Sequence, residues 1–383
     1  MTFLFASDSF KGTLSSEKTA SLLTRAAKQV FPRCVCTSVP VADGGEGTVD
    51  AVLSALGGSR VPVSVHDPLM REISASYGKT DDGRIILEMS AASGLPLLTE
   101  EERNPAKTTS YGTGELIAAA LKTGHSDITI AIGGSATNDG GMGCMSALGV
   151  RFLDENGQEL SGTGENLKRV RHIDISSLLP EAREATFTVI CDVTNPLCGE
   201  TGATYTYGPQ KGGTPELLTE LEEGMCNYRD VIKKEFGINL DESKGAGAAG
   251  GLGGALAAFL KAKMKSGIET VLDMIDFDAR LNGVSLVVTG EGRLDGQSCF
   301  GKVVQGVGMR CKKQGIPAIA LVGSTGDGAE LILNYGITSI VKTVPEDMPL
   351  AEALTQAEEL YLTAAVDMFE KIKSNPDKSK DIS

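Results

Sequence analysis

The chain has 383 residues, more than one hydrophobic core ordinarily serves at roughly 150 residues per domain, so two lobes are expected. Hydrophobic residues make up 41% and charged residues 22%, which excludes a disordered chain. A formal net charge of −14 with no basic stripe excludes nucleic acid and an anionic membrane surface as partners, and no apolar run approaches the ~20 residues needed to span a bilayer.

In chain order, Thr2 to Ala6 is a short buried-strand candidate, followed by a helix capped by Ser15 or Ser16 that runs to about Val30. Val35 to Val41 is a second strand, and Thr48 to Leu56 is a helix stopped by Gly57-Gly58. This β-α-β-α opening predicts a doubly wound parallel sheet. From Arg60 to Met89 the apolar residues alternate, with Asp81-Asp82-Gly83 as a turn, so hairpins and a second architecture are expected there. Glu115 to Lys122 reads as helix, Ile128 to Ile132 as a buried strand and Met142 to Leu148 as helix, and Asn156-Gly157 is a turn signal. Pro215 to about Phe236 is a charged amphipathic helix and Gly251 to Lys265 an alanine-rich one. Leu286 to Val288, a helix from Val303 to Lys313, and the runs Ala318 to Val322 and Ile337 to Val341 resume the opening rhythm. The expected architecture is therefore α/β: a discontinuous Rossmann-like parallel-sheet domain from 1–65 and 283–373, an inserted mixed α/β domain at 66–282, and a frayed polar tail at 374–383.

Glycine supplies 47 residues, and they cluster in loops rather than spreading as linkers. Six loops combine glycine with carboxylates, amides or lysines: Ser7 to Gly12, Ala42 to Thr48, Gly133 to Gly141, Cys191 to Pro196, Gly208 to Gly213 and Thr289 to Asp295. Several directly follow a strand-like run, where α/β proteins bind ligands and where glycine lets backbone N–H groups approach phosphate oxygens. The combination points to a phosphorylated ligand and a divalent cation. Each residue also has a plainer reading. Asp192 caps the turn before Asn195-Pro196 or serves chemistry; Asp43, Glu46 and Asp139 cap helices or meet a metal; Lys302 faces a phosphate or solvent.

Other signals are weaker. Gly245 to Gly250 matches the dinucleotide pattern G-x-G-x-x-G, but Leu240 to Lys244 before it is not a buried strand. Gly296 to Lys302 fits the first seven positions of a P-loop, yet Val303 stands where Ser or Thr is required. The three histidines, His66, His125 and His172, lie away from the glycine loops, so general-base work falls to a carboxylate. Eight cysteines without zinc-site spacing, and a start (Phe3 to Ala6) too short for a signal-peptide core, read as reduced thiols of a cytoplasmic protein.

The loop Asp8-Ser9-Phe10-Lys11-Gly12 followed by Ala42-Asp43-Gly44-Gly45-Glu46-Gly47-Thr48 resembles the bacterial glycerate kinases of the type I family. The resemblance continues through Ser110 to Glu115, Ile132 to Gly141, Gly208 to Gly212 and Thr289 to Arg293, and it covers residues 3 to about 370. It implies two α/β domains with the active site in the cleft between them, and magnesium-dependent transfer of the γ-phosphoryl group of ATP to D-glycerate. The product associated with the family is 2-phosphoglycerate, with 3-phosphoglycerate also assigned, and a homodimer is left open.

On this resemblance Asp192, Lys11 and Arg293 are expected to be catalytic, Asp192 orienting or deprotonating the hydroxyl and the two cations holding carboxylate or phosphoryl. Asp8, Ser9, Asn195, Gln210 and Lys211 are expected at the substrate. Gly133, Gly134, Ser135, Thr137, Asn138 and Lys302 are expected at the nucleotide, and Asp43 and Asp139 at magnesium. Two other readings stand beside it: a nucleotide-dependent hydroxy-acid dehydrogenase using Gly245 to Gly250, and a sugar-acid sensor that binds without turnover.

Overall fold

The computed structural model describes residues 1–10, 13–45, 47–299 and 301–374. Lys11, Gly12, Glu46 and the tail after Ser374, all given roles above, lie outside the described residues. The chain divides into two compact units, Met1–Asp43 with the chain from Gly267 onward, and Gly44–Ser266.

In the first unit five parallel strands stand in the order Ile337–Lys342, Ala318–Val322, Leu286–Gly290, Thr2–Ser7, Val35–Ser38. Leu286–Gly290 and Ala318–Val322 are buried at every position, as the near-continuous apolar runs of a sheet covered on both faces require. The helix Ser16–Val30 starts where the Ser15 side chain accepts from Lys18 N at 3.1 Å, and it buries Leu22, Leu23, Ala26, Ala27 and Val30. Those residues meet Tyr361, Ala365, Met368 and Phe369 of the helix Ala357–Ser374 in one core with Phe3 and Phe5. The Phe3 and Phe369 rings lie 5.1 Å apart and tilted, a favourable aromatic geometry.

In the second unit six strands stand in the order Lys263–Lys265, Thr186–Ile190, Asp127–Ala131, Ile85–Glu88, Glu72–Thr80, Gly58–His66. The first four run parallel and the last two form the antiparallel hairpin that the alternation from Arg60 predicts. Their core takes in Leu87, Ile130 and Val189 from the sheet and Leu116, Met145, Tyr228 and Leu256 from the helices. The amphipathic helix spans Pro215–Phe236 and ends on Gly237 in the left-handed conformation at φ 69°. The alanine-rich segment stops earlier than expected, at Leu260, because the chain turns at Lys261 into the edge strand Lys263–Lys265.

The unit boundaries differ from those read in the sequence, at 43 rather than 65 and at 266 rather than 282. Gly58–His66 pairs along its whole length with Glu72–Thr80, which carries residues 44–65 into the second unit. Residues 267–282 join the first unit because Arg310, on the helix Val303–Gln314, pairs with Glu269 at 2.6 Å, Asp273 at 2.5 Å and Asp278 at 3.0 Å.

Candidate active site

In the first unit, hydrogen bonds lace three strand exits together. Asp8 N donates to Gly290 O at 2.9 Å, Gly323 N to Glu291 O at 3.1 Å and Ser324 N to Gly292 O at 3.1 Å. Beside these loops lies a cavity of about 880 Å³, within the size range of small-molecule sites. Its polar wall includes Asp8, Ser9, Asp43, Glu291, Arg293 and Lys302, and its apolar wall includes Met348, Leu350 and Leu354. Asp8, Ser9, Asp43, Arg293 and Lys302 are therefore brought together by the fold, although they come from four separated stretches of sequence. Lys302 caps the start of the helix Val303–Gln314 with extended backbone, and Arg293 lies 3.9 Å from Asp295.

Glu291 is a member of this pocket to which the sequence assigned no individual role. It is 7% exposed, and among the described residues its Oε1 has no hydrogen-bond partner. Burial pushes its carboxyl up to about 7; nearby Asp8 and Asp295 act in the same direction, and Ser298 and Lys302 oppose them. The signal was present in the sequence, since Glu291 stands between two glycines directly after the buried run Leu286 to Gly290. A glutamate there is also an ordinary turn residue, and only burial separates the two readings.

The second unit holds the remaining expected residues, and most of them serve its own fold. Asp139 is fully buried; its Oδ2 accepts from Ser110 N at 2.8 Å, Ser110 Oγ at 2.7 Å and Gly143 N at 3.2 Å, and its Oδ1 from Gly141 N at 3.1 Å. A carboxylate bonded in this way ties loops together, which gives Asp139 a structural role beside the one expected at magnesium. In the glycine loop Gly133 and Gly134 are exposed, whereas Ser135, Thr137 and Asn138 are buried. Asn138 Nδ2 donates to Thr204 Oγ1 at 3.2 Å. Thr137 Oγ1 and Asn138 Oδ1 are buried without a hydrogen-bond partner among the described residues.

Asp192 is exposed on the loop after Thr186–Ile190, and Gln210 is exposed as well. Asn195 uses both ends of its amide within its own loop, Nδ2 donating to Thr201 O at 2.8 Å and Oδ1 accepting from Tyr207 OH at 2.7 Å. The G-x-G-x-x-G segment follows no strand. A Cβ at Gly247 would stand 2.1 Å from Pro196 O and one at Gly250 1.9 Å from Thr137 O, so these glycines permit close backbone packing. Cys198, Glu222 and Cys226 form a three-donor cluster in which Glu222 Oε1 accepts from Gly199 N at 2.6 Å. All eight cysteines are free thiols.

Lys211 is 1% exposed, and its ammonium donates to Thr137 O at 2.7 Å. Burial pushes its pKa down to about 7, with Asp139 pulling the other way. Between that value and the ordinary lysine range the unfolded chain holds a proton that the folded chain lacks, so stability rises with pH across this window, and below it the cost is fully present. Thermal melts at about pH 7 and about pH 9 are expected to show this gain in the wild type and a flatter response in Lys211→Met. An unchanged pH response in the variant would remove Lys211 as its source.

Parallel strands whose carboxyl ends enclose paired carboxylates and cations define an α/β enzyme acting on an anionic small molecule. The comparisons with known proteins make this specific. Residues 3–373 match the model of the glycerate kinase family. A glycerate 2-kinase of Escherichia coli K12 is 43% identical over 93% of this chain and 94% of that protein. A glycerate kinase of Halalkalibacterium halodurans is likewise 43% identical, over 95% of this chain and 96% of its own length. A Salmonella typhimurium LT2 protein, whose crystal structure carries a provisional assignment as glycerate kinase 2, superposes with a TM-score of 0.88 at 39% identity, covering 98% of this chain and 99% of that one. The chain belongs to the glycerate kinase family. Among the described residues no helix is long and apolar enough to cross a membrane.

Proposed function

We propose that the chain transfers the γ-phosphoryl group of ATP to D-glycerate, giving 2-phosphoglycerate, with the pocket of the first unit as the reacting site. The observation that carries this reading is the union in one cavity of Asp8, Asp43 and Glu291 with Arg293 and Lys302. Phosphoryl transfer asks the protein for positioning and for cations where charge collects, rather than for a covalent intermediate. Arg293 and Lys302 supply those cations, while Asp8 and Ser9 offer acceptors and a donor to the glycerate hydroxyls. Leu350 and Leu354, 75% and 49% exposed, give the pocket an apolar wall suited to a nucleotide base.

Magnesium fits Asp43, a half-buried hard oxygen donor on the pocket wall. Bound there, the ion would neutralise phosphate charge. The identity of the named Escherichia coli relative supports the 2-hydroxyl as acceptor. Phosphorus NMR of the product from D-glycerate, ATP and magnesium tests the proposal: 2-phosphoglycerate with stoichiometric ADP is expected. Exclusive 3-phosphoglycerate would overturn the regiochemistry, and the absence of any phosphoglycerate would overturn the kinase reading.

A further inference from the structure

Transfer to a hydroxyl needs a group that takes the hydroxyl proton, and that group must be a base at neutral pH and reachable from the reacting atoms. Carboxylates at strand exits include Asp8, Asp192 and Glu291, and of these Asp8 lines the cavity but is only half-buried. Asp192 sits exposed on the loop after Thr186–Ile190 and is not among the residues lining the cavity. Glu291 lines the cavity, is almost wholly buried, and carries an oxygen that no described donor satisfies. A buried acceptor without a donor is costly in the empty protein, and a substrate hydroxyl supplies the missing donor.

We propose that Glu291 is the proton acceptor of the reaction, its Oε1 receiving the hydroxyl hydrogen of glycerate as the hydroxyl oxygen attacks the γ-phosphorus. The assignment rests on the kinase reading above. In this step the O–H bond breaks and its proton passes to the Glu291 carboxylate. The new O–P bond forms, and the bond between the γ-phosphorus and the bridging oxygen breaks with its electron pair remaining on ADP. Glu291 returns the proton to water after the products leave.

The surroundings fit that task. Asp8 at the end of Thr2–Ser7 and Asp295 on the same loop disfavour a second negative charge and so strengthen the base. Lys302 at the head of its helix and the Ser298 hydroxyl hold the carboxylate within reach of neutral pH. Burial raises the Cys299 thiol pKa and nearby Glu291 adds to the rise, and Arg293 is the further cation of the loop. Farther along the cavity wall, Lys342 and Glu346 pair with one another at 2.5 Å. The backbone bond from Gly323 N to Glu291 O, 3.1 Å, fixes the residue between two strand exits, so its carboxylate is positioned by the sheet and not by a free loop.

The test compares Glu291→Gln, Glu291→Asp and Asp192→Asn with the wild type in steady-state assays of phosphoglycerate formation across pH. Glu291→Gln is expected to lose roughly 10²–10⁴-fold in kcat, the usual worth of a positioned base. Glu291→Asp should recover part of that loss. Wild-type kcat should rise with pH through the neutral range, and that acidic limb should be missing from the residual activity of Glu291→Gln. Circular dichroism and nucleotide binding by Glu291→Gln separate a catalytic loss from unfolding, and Glu291→Asp keeps the assignment testable if the amide does not fold. Near-normal turnover by Glu291→Gln, or a loss confined to Asp192→Asn, would overturn the assignment while leaving the kinase reading intact. A wild type that forms no phosphoglycerate would instead sink the reading and this assignment with it.

Discussion

Asp139→Ala is expected to lower the melting temperature of the second unit by on the order of 10 °C. The carboxylate accepts four hydrogen bonds, from Ser110 N, Ser110 Oγ, Gly141 N and Gly143 N, and it is fully buried. Removing it leaves those donors without an acceptor where water cannot replace it, at about 1–3 kcal/mol for each group left unsatisfied. Breaking a buried charged network of this kind costs about 3–5 kcal/mol in total. Gly143 adds a steric argument, since a Cβ there would lie 2.9 Å from Asp139 Oδ2, which shows how tightly the backbone closes around the carboxylate. Calorimetry of the variant checks this. A melt within about two degrees of wild type would mean that the four bonds contribute little net stability, and would favour ligand binding as the task of Asp139.

Gly290→Ala is expected to cut kcat by about 100-fold or more and to destabilise the first unit by roughly 1–3 kcal/mol. A Cβ at this position would stand 1.9 Å from Leu321 O, a backbone atom of the neighbouring strand that cannot move aside without shifting the sheet. Gly290 O also accepts from Asp8 N at 2.9 Å, and the next residue is Glu291. One added methyl group therefore displaces both pocket loops together, and a misplacement of about 1 Å at a reacting centre suffices for a loss of this size. Activity assays paired with a urea melt separate the two effects. A variant of normal stability and normal kcat would show that the pocket does not depend on the close approach of these strands.

Much of the fold was legible because its signals are local. Ala318 to Val322 reads as a buried strand from apolar content alone, and Pro215 to Phe236 reads as a helix because proline, charge periodicity and Gly237 mark its start, face and end. The boundaries were less legible. Residues 44–65 carry a helix and a strand that suit either unit, and the pairing of Gly58–His66 with Glu72–Thr80 decides between them. Among site residues, Asp8, Ser9, Asp43, Arg293 and Lys302 were marked by their glycine loops and do share a cavity. Asp139 carried the same mark yet turned inward, because a polar residue flanked by glycines suits a ligand loop and a buried backbone knot equally well.

The residues of the chain alone determined its family, its two-unit α/β character and the set of polar loops from which a site is built, since these depend on composition, local periodicity and ordered motifs. Tertiary structure alone decided which loop residues face a cavity and which are buried: Glu291 with its unpartnered oxygen, Asp139 with four donors, and Lys211 sealed against Thr137 O. The physical reason is that burial and hydrogen-bond satisfaction are set by neighbours distant in sequence, and these quantities separate a reactive carboxylate from one that closes a fold.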